Sequence, residues 1–354
     1  MQLDPKWLDP TTYRSGIREP SFADFLRVLS GEVPRRATLF EFFLNEPLYL
    51  SVCDPRVAAK KDAYTPSRIA MDAYARLGYD CVTLHGSDFG FPVAKVKKGA
   101  TYSANDTAVI TDRASYLDYP WQEPEDCDYS CLEVLGREMP HGMKLVTCGP
   151  GGVLENVIAL VGYENMCYMS VDEPELLEDI FAQVGERLVR YYRVCGQFDA
   201  VGAMISNDDW GFNTQTMLSP ADMRHYVFPW HQRIVDAIRE SGRPAILHSC
   251  GQLKDVYGDI IRMGYAAKHS YEDVIEPVEQ AYEHLHGSLA VLGGIDLNFV
   301  CRATPEAIFR RSLAMLERTA ERGGYALGTG NSVPTYVPVE NYLAMIAAVH
   351  AVDS

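Results

Sequence analysis

The chain has 354 residues, 47% hydrophobic and 23% charged, with 32 basic against 48 acidic side chains and a net charge of −16. That balance is ordinary for a soluble enzyme and excludes nucleic acid or an anionic membrane as a main partner, because most of the surface repels phosphate. No run reaches the roughly 20 apolar residues of a membrane-spanning helix.

The first residues, Met1-Gln2-Leu3-Asp4-Pro5, have neither a basic nor an apolar leader region, so a cytoplasmic protein is expected. Nine cysteines, an odd number spread over the length, are expected to be reduced there. Cys127 and Cys131 lack a downstream pair and read as ordinary thiols. The short run Lys95-Val96-Lys97-Lys98 reads as a solvated loop.

In chain order, eight apolar segments read as strands: Thr38–Leu44, Tyr79–Leu84, Met143–Cys148, Ala200–Ser206, Pro244–His248, Tyr265–His269, Leu289–Gly293 and Tyr325–Gly328. Between and after them lie helical runs: Pro66–Leu77, Val153–Leu160, Pro174–Cys195, Pro220–Ser241, Leu253–Met263, Val274–Leu285, Thr304–Arg322 and Val339–Val349. Ser219-Pro220 and Thr304-Pro305-Glu306 carry the capping hydroxyl and first-turn proline of a helix start. Eightfold strand–helix alternation predicts an α/β fold, a (β/α)8 TIM barrel, rather than an open sheet, since no G-x-G-x-x-G follows the first strand. A helical extension precedes about residue 37, and the Asp-, Tyr- and Pro-rich stretch from about 91 to 142 reads as an insertion after strand two. No linker divides residues 1–354, so one domain is expected.

Active sites of such barrels gather at the carboxyl ends of the strands. The fifth predicted strand ends Ile246-Leu247-His248-Ser249-Cys250-Gly251. Residues two apart in a strand share a side, so His248 and Cys250 can converge on one ion, and an imidazole with a thiolate suits zinc. Other strand ends bring Glu41, His85, Asp208-Asp209-Trp210, His269-Ser270-Tyr271-Glu272, Asp296 and Gly328-Thr329-Gly330-Asn331. Each has a plain structural reading as well. Asp208 or Asp209 can cap the helix after strand four, Asp296 can fix a turn, and His269 can support a ligand rather than be one. Trp210, Phe212, Tyr271 and Tyr336 can line an aromatic pocket or merely seal the barrel.

Taken together, Ile205–Gly211, Met217-Leu218-Ser219-Pro220, His248–Gly251, Gly293-Gly294-Ile295-Asp296, Gly328–Asn331 and Pro338-Val339-Glu340-Asn341-Tyr342 resemble the uroporphyrinogen decarboxylase superfamily. The resemblance runs from about residue 20 to the end. The arginine-rich segment with which the decarboxylase grips its tetrapyrrole has no counterpart in Thr38–Leu50. The H-x-C-G motif instead resembles the cobalamin-dependent methyltransferase branch, which implies zinc on His248 and Cys250 and a cobalamin carried by a separate corrinoid protein. Thiol-methylating members add a second cysteine after strand eight, where this chain has Gly328-Thr329-Gly330-Asn331. The third ligand is therefore sought in Cys301 or in a carboxylate, Asp209, Glu272 or Asp296.

A zinc with fewer thiolates is harder and better suited to polarising an oxygen. The expected activity is accordingly transfer of methyl from a small O-methyl substrate, a methoxylated aromatic, to the Co(I) corrinoid of the partner. Asp209, Glu272 and Asp296 are the expected catalytic acids, and Asp208, Trp210, Asn331 and Tyr271 the substrate-binding residues. The competing readings are methyl transfer from methylcobalamin to a thiol or other acceptor, a metal-free decarboxylase using Asp208 or Asp296, and a noncatalytic corrinoid- or porphyrin-binding barrel.

Overall fold

Seven parallel strands lie side by side in chain order: β1 (Cys81–His85), β2 (Lys144–Cys148), β3 (Val201–Asn207), β4 (Ala245–His248), β5 (Ala267–His269), β6 (Ala290–Leu292) and β7 (Tyr325–Ala326). The structure, a computed structural model, describes residues 1–93, 105 and 107–353; the basic run 95–98 lies outside them. Helices cover the crossovers, so the strands are buried on both faces and read as nearly continuous apolar runs.

Alternate strand residues make two layers. Val146, Ala203, Ile205, Ile246, Ala267, Leu292 and Ala326 pack with Phe25 and Phe40 in one cluster. Val82, Leu145, Met204, Leu247, Val291 and Tyr325 pack in the other, which contains the buried faces of the surrounding helices. Phe25, from the N-terminal helix Phe22–Leu29, stacks on Phe40 at 5.8 Å. The expected helical extension thus contributes directly to the core of the sheet.

The first predicted strand, Thr38–Leu44, departs from expectation. It forms a single parallel bridge, Leu39 with Leu327, with the N–H of Phe40 donating to Leu327 O and the N–H of Leu327 to Thr38 O, both at 2.9 Å. Beyond Phe40 its polar groups leave the sheet: Thr83 Oγ1 donates to Glu41 O at 3.1 Å, the Val333 N–H donates to Phe43 O at 2.8 Å, and the Leu44 N–H donates to Tyr49 Oη at 3.1 Å. The segment therefore joins β7 through its main chain and β1 through Thr83 without completing a ladder.

The helix expected at Pro174–Cys195 forms with those bounds. The run Pro220–Ser241 is helical but interrupted by a π turn over Met223–Val227. Pro229, which has no N–H to give, stands in the first turn of the following helix, Phe228–Glu240. The insertion lies between β1 and β2, and its Trp121 and Glu123 are held to the long helix by Arg187, whose guanidinium sits 4.9 Å from the Trp121 ring. Among the described residues, no helix is long and apolar enough to cross a membrane.

Candidate metal site

His248 is the last residue of β4, and the Asp208 N–H donates to its carbonyl at 2.9 Å, carrying the β3–β4 pairing one step past the strands. The next two loop residues, Asp209 and Cys250, then meet: the Cys250 N–H donates to Asp209 Oδ1 at 2.9 Å. The loops cross very closely just beyond. Gly251 has φ +91°, and a Cβ there would stand 2.2 Å from the carbonyl carbon of Gly211, so only glycine fits.

This crossing gathers one nitrogen, one sulfur and one oxygen donor. Ligand atoms of Asp209, His248 and Cys250 lie within 4.8 Å of one another. Three protein donors of this mixed type suit zinc and leave a coordination position for a substrate. Burial holds the His248 imidazole well below its ordinary pKa, hence neutral, as a ligand must be. Burial and the Asp209 carboxylate push the Cys250 thiol up to about 12. A dication beside it would reverse that preference by stabilising the thiolate.

A shell of hydrogen bonds surrounds the donors. His248 and His269 face each other through their Nδ1 atoms at 2.8 Å, and His269 Nε2 lies 3.1 Å from Thr329 O. Phe42 stacks on His248 at 4.1 Å. Asn331 Nδ2 donates to Cys250 Sγ at 3.2 Å. Thr329 in turn is bound to the wholly buried Glu41: its N–H donates to Oε1 at 2.7 Å, and its hydroxyl is 2.7 Å from Oε2. That hydroxyl also reaches Asn331 O at 2.7 Å, yet it has only one hydrogen. A neutral Glu41 satisfies both contacts by donating to Thr329 Oγ1, and burial raises its carboxyl to about 8.

The uroporphyrinogen decarboxylase (URO-D) family model matches residues 61–352. The chain belongs to the uroporphyrinogen decarboxylase family. It is 21% identical over 325 residues to the uroporphyrinogen decarboxylase of Carboxydothermus hydrogenoformans, covering 88% of this chain and 87% of that one. It is 29% identical over 149 residues to that of Geobacter sp. strain M21, 40% of each chain. Its fold is like that of a methyltransferase from Methanosarcina mazei, with a TM-score of 0.69 and 16% identity over 98% of this chain and 99% of the other.

Within this uroporphyrinogen decarboxylase family fold the expected site residues separate into groups. Asp209 joins His248 and Cys250; Cys301 does not. Cys301 instead lines a cavity of about 900 Å³ together with Tyr271, Glu272, Asp296, Asn331 and Tyr336. Burial, with Asp296 and Asp209 nearby, raises the Glu272 carboxyl above its ordinary range. Asp296 caps the helix Leu297–Arg302 through the Phe299 N–H at 2.9 Å and also accepts the Asp273 N–H at 3.0 Å.

Two expected substrate-binding residues sit in the interior instead. Asp208 is wholly buried and accepts the N–H groups of Leu154 and Glu155 and a contact from His231 Nε2, at 2.8–2.9 Å. It does cap a helix, but the one following β2, because neighbouring residues at a strand end point opposite ways. Trp210 is also fully buried, edge-on to His231 at 4.7 Å and beside Phe228. Its large apolar surface goes to the core.

Sequence reading overlooked Glu155 and Lys268. Glu155 opens the helix Val153–Val161, and burial beside Asp208 and Asp209 raises its carboxyl to about 8. Lys268 is a buried amine on β5, donating to Ser270 O at 2.6 Å and lying 4.2 Å from the Tyr271 ring; burial lowers it to about 8. Its signal was available, since a lysine inside a predicted strand is almost never fully buried unless it is paired.

Proposed function

We propose that this chain is a zinc-dependent methyltransferase, transferring methyl from a small O-methyl substrate to the Co(I) corrinoid of a partner protein. The observation that carries the reading is the convergence of Asp209, His248 and Cys250 from two adjacent strand ends. Zinc bound there supplies Lewis acidity toward an ether oxygen.

The chain's own residues provide the remainder. The 900 Å³ cavity has room for a methoxylated aromatic, with Tyr271 and Tyr336 as apolar walls. Asn331 both lines that cavity and donates to Cys250, so substrate and donor site adjoin. Glu272, with its raised carboxyl, holds a proton for the departing oxygen, and Asp296 holds the neighbouring loop in place. The cobalamin belongs to the partner, because no D-x-H-x-x-G occurs in the sequence. The same reading takes residues 1–354 as one domain, the sheet as a closed (β/α)8 barrel with Thr38–Leu44 as its eighth stave, and the compartment as the cytoplasm.

The test is to incubate zinc-loaded protein with cob(I)alamin and a panel of aryl methyl ethers. Methylcobalamin and free phenol are expected. Formation of neither, with ready methylation of a thiol by methylcobalamin, would reverse the direction of transfer.

A further inference from the structure

We infer that His269 is a positioning residue that fixes His248 in the one tautomer able to bind a metal through Nε2. The inference rests on the zinc reading above and adds to it a residue that touches neither metal nor substrate.

A backbone carbonyl can only accept. Thr329 O lies 3.1 Å from His269 Nε2, so that nitrogen carries the hydrogen. Neutral imidazole has one N–H, which leaves His269 Nδ1 as a bare acceptor. His248 Nδ1, 2.8 Å away, must then donate to it. The lone pair of His248 is thereby confined to Nε2, the nitrogen that faces Cys250 Sγ at 3.9 Å. Without the carbonyl at one end of this chain, either tautomer of either ring would serve.

The His269 ring has little freedom to do otherwise. Phe40 meets it edge-on at 5.2 Å, and Gly293, at φ +69°, passes so near that a Cβ would stand 2.9 Å from its Cδ2. Thr329, which supplies the carbonyl, is pinned by two contacts to Glu41. The arrangement orients the ligand before any metal arrives, which is how groups behind a ligating imidazole raise affinity.

Two substitutions separate this role from simple packing. His269→Asn places an amide oxygen near the position of Nδ1 and keeps an acceptor for His248; His269→Leu fills space but accepts nothing. Zinc affinity, measured by competition with a chromophoric chelator, should fall by about 10- to 100-fold in His269→Leu. In His269→Asn it should stay within about threefold of wild type, less than the tenfold lower end of that range. Nitrogen-15 spectra of histidine-labelled, metal-free protein should show His248 protonated on Nδ1 in the wild type. Equal zinc affinity in wild type and His269→Leu would overturn the inference, as would an Asn variant as weak as Leu, or a wild-type His248 protonated on Nε2. A wild type that binds no zinc removes the proposed function, and the metal-free spectrum still decides the tautomer.

Discussion

Asp209 Oδ1 accepts the N–H of Cys250 at 2.9 Å, so the loop after β3 is fastened to the loop after β4 at the residue that bears the thiol. The carboxylate thereby has one oxygen oriented by main chain, and it also meets the Cys250 thiol itself. The third donor of the site comes from 39 residues (209 to 248) before the first.

Purified protein should carry about one zinc per chain by elemental analysis. His248→Ala and Cys250→Ser should each remove most of it, and Asp209→Asn should weaken it by about tenfold or more. Cys301→Ser, outside the cluster, should leave occupancy unchanged. Full occupancy in the first two variants would contradict the metal site.

Glu272 should act as proton donor. A carboxyl raised by burial and by Asp296 and Asp209 keeps its proton to higher pH than a free glutamate. The rate should therefore fall as pH rises through that pKa. Glu272→Gln should lower it by about 100-fold and abolish this descending limb, as read from the pH profile of kcat/KM for methylcobalamin formation. A limb that persists in the variant assigns the proton to another group.

Asp208 should matter for folding. Substituting Asn removes the charge and sets an amide hydrogen against the N–H groups of Leu154 and Glu155 or against His231. A loss of about 2–4 kcal/mol in urea unfolding is expected for such a buried, multiply bonded carboxylate. Unchanged stability with lost substrate binding would return Asp208 to the pocket.

Glu41 should make the protein less stable as pH rises. Its carboxyl is raised to about 8 in the folded chain, whereas in the unfolded chain it ionises near the ordinary glutamate value. Between these limits the folded state holds one more proton, so stability declines by up to about 1.4 kcal/mol per pH unit and levels off above the folded pKa. Glu41→Gln keeps a donor toward Thr329 Oγ1 and should flatten that decline. Thermal melts of both proteins across pH 5 to 9 compare the slopes.

The sequence by itself determined the alternation of strands and helices and the pairing of His248 with Cys250. Both are local: apolar runs of strand length, prolines and capping hydroxyls at helix starts, and the two-residue period of a strand lie within a few residues of one another. It left His269 open between a ligand and a support for one. Seven predicted strands formed; Thr38–Leu44, equally apolar, made only one bridge because its later polar groups bond instead to Thr83 and Val333 across the fold and to the nearby Tyr49. Tertiary structure alone decided that Asp209 rather than Cys301 meets the His–Cys pair, and that Asp208, one residue away, turns inward to cap a helix. Adjacent side chains at a strand end face opposite ways, and which way is the site depends on how neighbouring strands register. The tautomer of His248 is set likewise by Thr329, 81 residues on (248 to 329), a distance that no pattern in the chain encodes.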